Sequence, residues 1–246
     1  MGETAIVAKR AQIRGLEGIE GVPLIEARNV SIGYGSIMVL DRVSFRIEGG
    51  EGRIIGLRGP NGAGKSTFLK ACLGLVATRS GTLRLAGFEP GKSNFRKLLA
   101  RVGYVPQSRP PGQLRLTVDD VVALGRYGRV GFLGRYEAGD WKAIEAAKEK
   151  AGVASLGTKA IQELSGGQYQ RVMIAKALAA EPLLMLLDEP GVHLDEKGRE
   201  YISKLLVSIA RDKVASMLLV SHSAELLSLC DSFLDFEGGR IEVGHV

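Results

Sequence analysis

Residues Gly59 to Thr67 read GPNGAGKST, and the segments on either side decide what that run can be. Arg53 to Leu57 (RIIGL) has the character of a short buried strand. From Lys65 to about Leu73 the residues favour a helix, with Gly74 as its C-cap. A strand passing through a glycine-rich loop into a helix is the context in which the pattern G-x-x-x-x-G-K-[ST] marks a phosphate cradle. Gly59, Gly62 and Gly64 let the main chain wrap an anion with no side chain in the way. Pro60, Asn61, Ala63 and Thr67 complete the loop, whose amides, with the positive end of the helix, favour phosphate oxygens. Lys65 is expected to reach the β- and γ-phosphates of a nucleotide, and the Ser66 hydroxyl to ligate Mg²⁺.

Outward from this loop, strands and helices alternate. Two strand-like runs from Leu24 (IEARNVSIGYG and LDRVSFRIEGG) form an N-terminal antiparallel part. Ser80–Gly87, Arg101–Gln107, LLMLLD from Leu183 and SMLLVS from Ser216 are further strands. FLDFEGGRIEVG closes the chain as a hairpin around Gly238 and Gly239. The alternation predicts an α/β fold with a mainly parallel sheet covered on both faces. A largely helical stretch over about 109–170 reads as an inserted arm, and residues 1–22 as a flexible extension ahead of one domain, 23–246. LLMLLDEP delivers Asp188 and Glu189 to the C-terminal edge of the sheet, where open α/β sheets bind ligands. Adjacent acids on a strand point to opposite faces, which suits Asp188 to the Mg²⁺ shell and Glu189 to the attacking water.

Leu164 to Gln168 read LSGGQ ahead of a helix running to about Ala179. Ser165 is a good N-cap, and Gly166 and Gly167 leave main-chain amides accessible, so this is a second anion-favouring helix end. With the cradle upstream, the sequence resembles an ABC transporter ATP-binding subunit over residues 24–246. The resemblance implies a P-loop NTPase (RecA-like) core, ATP hydrolysis with Mg²⁺, and a head-to-tail dimer sandwiching two ATP molecules. Ser165 and Gly167 of one copy, with Gly166 and Gln168 beside them, would meet the γ-phosphate held by Lys65 of the other. It further implies that Tyr34 stacks on adenine, that Gln107 senses Mg²⁺ and γ-phosphate, and that His222 is the switch histidine. Asp195 stands where the D-loop aspartate should. The chain departs from the family pattern just before it, where Gly191, Val192 and His193 replace small residues, and His193 offers a route to pH-sensitive turnover.

Hydrophobic residues at 45% and charged residues at 24% fit a soluble globular protein, and no run approaches the ~18 apolar residues of a membrane span. Cys72 and Cys230 are expected to be buried thiols. A cytoplasmic protein at the inner face of the cell membrane is therefore expected, working with an integral permease and an extracytoplasmic substrate-binding protein, as the resemblance implies. Between residues 92 and 135 nine Lys or Arg oppose only Asp119 and Asp120. That is either a solvated face or a surface drawn to an anionic leaflet. No nucleic-acid motif accompanies it. Thr117 to Arg135, containing Gly125-Arg126-Tyr127-Gly128, is similar to the arm of cassettes serving manganese, zinc and iron import. Iron-chelate and cobalamin importers share part of that pattern, and a soluble single-cassette assembly ATPase is the other alternative. DNA-maintenance ATPases are excluded, because only 96 residues without heptads separate Thr67 from Leu164.

Overall fold

Burial along Leu184–Asp188 sets the architecture. All five residues are buried, with Met185 and Leu187 in one hydrophobic core and Leu184 and Leu186 in another. A strand covered on both faces requires that two-residue alternation of apolar side chains. The structure, a computed structural model, describes residues 21–107, 115–131, 133–192 and 194–245. The expectations for His193 and for all but the last two residues of the 1–22 extension fall outside the described residues.

In chain order the elements are β1 (Ile25–Tyr34), β2 (Ile37–Ile47), β3 (Ile54–Arg58), α1 (Lys65–Cys72), β4 (Thr78–Leu85), α2 (Phe95–Leu99) and β5 (Val102–Val105). There follow α3 (Val118–Ala123), a 3₁₀ turn (Leu124–Arg126), α4 (Tyr127–Val130), α5 (Ala138–Lys150) and α6 (Gly166–Ala179). The remainder is β6 (Leu184–Asp188), α7 (Glu196–Arg211), β7 (Ser216–Val220), α8 (Ala224–Leu227), β8 (Ser232–Glu237) and β9 (Arg240–His245). The main sheet has the order β5-β6-β7-β3-β8-β9 and is parallel except for the β8–β9 hairpin, whose turn is Gly238-Gly239 with both φ positive. A separate antiparallel sheet, β2-β1-β4, joins it where the Asp41 amide donates to the Gly239 carbonyl at 2.9 Å.

One core lies between the main sheet and α3, α5, α6 and α7, the other between the sheet, α1 and the antiparallel sheet. Phe68 of α1 anchors the second, its ring 5.7 Å from that of Phe45 and 5.8 Å from that of Phe236. This packing fixes the helix that leaves the phosphate loop. Gly74 serves as the expected stop: its φ is +71°, and its amide donates to the Ala71 carbonyl.

The Gly-Arg-Tyr-Gly run is a packing device. A Cβ at Gly125 would lie 2.1 Å from the Lys176 carbonyl oxygen of α6, and one at Gly128 would lie 2.9 Å from Ala100 Cα. Between them Arg126 is buried at 1% exposure, with Asp140 and Glu181 each 2.8 Å from its guanidinium. Arg101 and Arg129 also face these acids. The basic surplus read between residues 92 and 135 is thus partly spent inside the protein, against carboxylates that lie outside that window.

Two outcomes test this packing. Gly125→Ala should destabilise the fold by about 1–3 kcal/mol through overpacking, seen as a lower urea midpoint. Burial opposes ionisation of Asp140, but the Glu137 amide and Arg126 outweigh it and hold the carboxyl below its usual range. At Glu181 burial is likewise outweighed by Arg126, Arg101 and Arg129. Carboxyls depressed in the folded state contribute full stability at neutral pH. They lose it as pH falls through the ordinary carboxylate range near 4 towards the lower folded values. Asp140→Asn should therefore be less stable at neutral pH yet show a shallower decline in urea midpoint between about pH 5 and 3.

Candidate nucleotide site

The phosphate loop leaves β3 through a backbone that only glycine tolerates. Gly59 has φ +141°, and a Cβ there would stand 2.3 Å from the Phe236 carbonyl oxygen. Gly64, at φ +101°, is the N-cap of α1, and its neighbour Val39 on β2 would lie 2.7 Å from an added Cβ. No side chain caps α1 and its first turn carries no acid, so its leading amides are left to an anion. The Lys65 ammonium curls over its own loop, donating to the carbonyls of Gly59 at 2.7 Å and Pro60 at 2.9 Å. Burial lowers its pKa, while Glu189 and Asp188 oppose that effect. The loop opens on a cleft of about 230 Å³ lined by Asn61, Gly62, Gly64, Lys65, Ser66 and Thr67 with Gln107, Glu189 and His222.

The two carboxylates reach this cleft by different routes. Asp188 is the last residue of β6 and shares the α1 side of the sheet with Leu186; the Ser66 hydroxyl donates to its Oδ1 at 2.9 Å. Burial raises the Asp188 pKa, opposed by the Ser66 hydrogen bond and then by Lys70 and Lys65. Strand alternation predicts that Glu189 faces away, and here the structure corrects the expectation. Glu189 has left the strand with φ +51°, a left-handed backbone that turns its side chain to the same cleft. Its Oε1 lies 3.3 Å from His222 Nε2, and burial raises its pKa against the effect of His222. A non-glycine residue held at positive φ with a buried carboxylate is the kind of local strain that functional sites retain.

Other expected residues lie elsewhere. Tyr34 ends β1, 45% exposed, on the hairpin whose second strand presents Val39 to the cleft, but it does not itself line the cleft. The LSGGQ run lines a separate pocket of about 480 Å³ with Asp195 and Lys197. Ser165 Oγ accepts from the Gln168 amide at 3.3 Å, and Gln168 Oε1 accepts from the Ser165 amide at 3.1 Å, a reciprocal cap that opens α6. Asp195 caps α7 in the same way, accepting from the Gly198 amide at 2.8 Å. A Cβ at Gly167 would meet nothing within 4 Å, so no packing within this chain calls for a glycine there.

The profile of the ABC transporter family matches residues 40–192, more than half of the chain. The chain belongs to the ABC transporter family. It is an ATP-binding subunit and an ATPase. MntB, the manganese transport system ATP-binding protein of Bacillus subtilis strain 168, is 36% identical over 209 residues, covering 82% of this chain and 78% of its own. ZnuC, the high-affinity zinc uptake system ATP-binding protein of the same strain, is 32% identical over 220 residues, covering 88% and 92%. Among solved structures, CbiO1 of Clostridium perfringens, part of the CbiONQ transporter complex, superposes with a TM-score of 0.77 at 26% identity, covering 91% of this chain and 88% of its own.

Sequence reasoning missed two cleft residues of this ABC subunit, Val39 and Val220, which line it through their strands rather than through any motif. It also missed Arg171 and Tyr201, which build the signature pocket: the Arg171 guanidinium lies 4.7 Å over the Tyr201 ring. Their helical spacing carries no signal that distinguishes them from ordinary surface residues. Lys65→Ala should weaken nucleotide binding at least about tenfold, since charge-assisted hydrogen bonds contribute about 1.5–3 kcal/mol. Titration with a fluorescent ATP analogue checks this.

Proposed function

We propose that this subunit powers import of a divalent metal ion of the manganese or zinc class through a separate membrane permease. The carrying observation is the similarity to MntB and ZnuC, which extends over more than four-fifths of the chain. The Gly-Arg-Tyr-Gly run adds little to that reading, because its arginine is consumed in packing. The same reading supplies the partners: a permease, an extracytoplasmic binding protein, and a place at the cytoplasmic face of the membrane. Among the described residues no helix is long and apolar enough to cross a membrane.

The proposed chemistry follows from the cleft. Tyr34 stacks on adenine, while Lys65 and the loop amides hold the phosphates. The Ser66 hydroxyl and Asp188 carboxylate, 2.9 Å apart, are a hard-oxygen pair suited to Mg²⁺, with Gln107 beside them. Bound there, Mg²⁺ neutralises charge on the β- and γ-phosphate oxygens. Glu189 orients the attacking water and accepts its proton, and His222 stands against the Glu189 carboxylate at 3.3 Å. The site is completed by a second copy, whose Ser165 and Gly167 face the γ-phosphate. Three observations support that step: LSGGQ lies apart from the phosphate cleft, its helix end is capped and exposed, and Gly167 has space around it. The domain reading is retained as one unit over 23–246 with a helical arm over about 109–170.

Glu189→Gln should bind ATP, fall in turnover by at least about a hundredfold, and accumulate an ATP-dependent dimer on size-exclusion chromatography. Normal turnover in that variant would sink the base assignment. Co-purification from membranes, with the partner subunits identified and ATPase activity measured with Mn²⁺ and Zn²⁺ as cargo, tests the transport reading. A complex free of any membrane protein would overturn it.

A further inference from the structure

The Arg126 cluster sits at a joint between two working elements. Arg126 Nη1 donates to the Ala179 carbonyl at 2.8 Å, satisfying a carbonyl at the end of α6, and to Glu181 Oε2 at 2.8 Å in the link between α6 and β6. Its Nε donates to Asp140 Oδ1 at 2.9 Å, in the first turn of α5. From the other side Arg101, at the foot of β5, donates to the Glu181 carbonyl at 2.9 Å. Glu181 itself is held at φ +47°. From this one joint, α6 runs back to the LSGGQ run and β6 runs forward to Asp188 and Glu189. The 14 residues of α6 make a lever of about 21 Å.

A fully buried ion cluster is a poor way to gain stability, because desolvation offsets most of its attraction and an apolar replacement does as well or better. What it does supply is a fixed geometry. One planar fork reaches three segments at once, which a lysine ammonium on a flexible stem cannot reproduce. Gly125, pressed against the Lys176 carbonyl, adds a steric stop on the same helix.

We propose that Arg126, with Asp140 and Glu181, is a positioning cluster that sets the angle at which α6 presents Ser165 and Gly167 to the nucleotide held by a second copy of this chain. The inference rests on the two-copy site proposed above. The cluster touches neither ATP nor the reacting atoms; it acts through α6. Loosening it leaves the phosphate cleft of the same chain intact and spoils the assembled site.

The test uses the full chain carrying Arg126→Met, Arg126→Lys or Glu181→Gln, each also placed in the Glu189→Gln background. Expected for Arg126→Met is an affinity for a fluorescent ATP analogue within twofold of the parent, a KM within twofold, and a kcat lower by at least tenfold. ATP-dependent dimerisation in the Glu189→Gln background should be at least tenfold weaker. Arg126→Lys should fail to rescue, since charge without the fork is not enough. Glu181 is 48% exposed at its side chain, so Glu181→Gln keeps the fold and should show the same kcat-only loss in smaller measure, near threefold. It carries the test if the Arg126 variants do not fold. Unchanged kcat and dimerisation in these variants would overturn the inference, as would full rescue by lysine or a loss of nucleotide affinity parallel to the loss of kcat. Failure of Glu189→Gln alone to dimerise with ATP would instead strike the two-copy site, and is read separately.

Discussion

Ser66 and Asp188 stand 122 positions apart in sequence, yet the hydroxyl of one donates to the carboxylate of the other at 2.9 Å. That contact is possible only because β3, β7 and β6 lie side by side and in parallel, so their C-terminal ends share one edge. The phosphate loop follows β3, His222 follows β7, and Asp188 and Glu189 end β6. Parallel pairing itself is bought with burial on both faces, and the two cores on either side of the sheet supply it. Any change that slipped β6 by one residue would exchange Asp188 for an apolar side chain opposite Ser66.

The cleft then concentrates groups that disfavour folding. Lys65 and Asp188 are each less than one-tenth exposed, and Glu189 sits in a left-handed conformation with its carboxylate largely covered. Each costs desolvation or backbone strain. The offsetting contacts are local: the loop carbonyls for Lys65, the Ser66 hydroxyl for Asp188, the imidazole of His222 for Glu189. Apolar packing by Phe68 and its aromatic neighbours keeps the supporting helix in place at a distance from the charges.

The P-loop, the strand order of motifs and the carboxylate pair were legible in the sequence because each rests on short-range rules: glycine at positive φ, period-two burial, helix capping. The α/β class followed from the same rules. Three features were not legible. The turn at Glu189 breaks strand alternation at the very residue where alternation was used to predict direction. Arg126 looked like surface charge because its partners Asp140 and Glu181 lie 14 and 55 positions away. The separation of LSGGQ from the phosphate cleft is a matter of tertiary placement, which spacing along the chain does not encode.

Gly167 has open space around it and an ordinary backbone, so the folded chain places no restraint on what stands there. Loss of that glycine would leave expression, solubility and nucleotide capture untouched, and quality-control systems that sense instability would pass it. In a mixed pair, the altered chain would keep a working cradle while disabling the one held by its healthy companion. A single silent-looking substitution at this position thus acts outward, on a neighbour's chemistry, and would behave genetically as a dominant poison rather than as a simple loss.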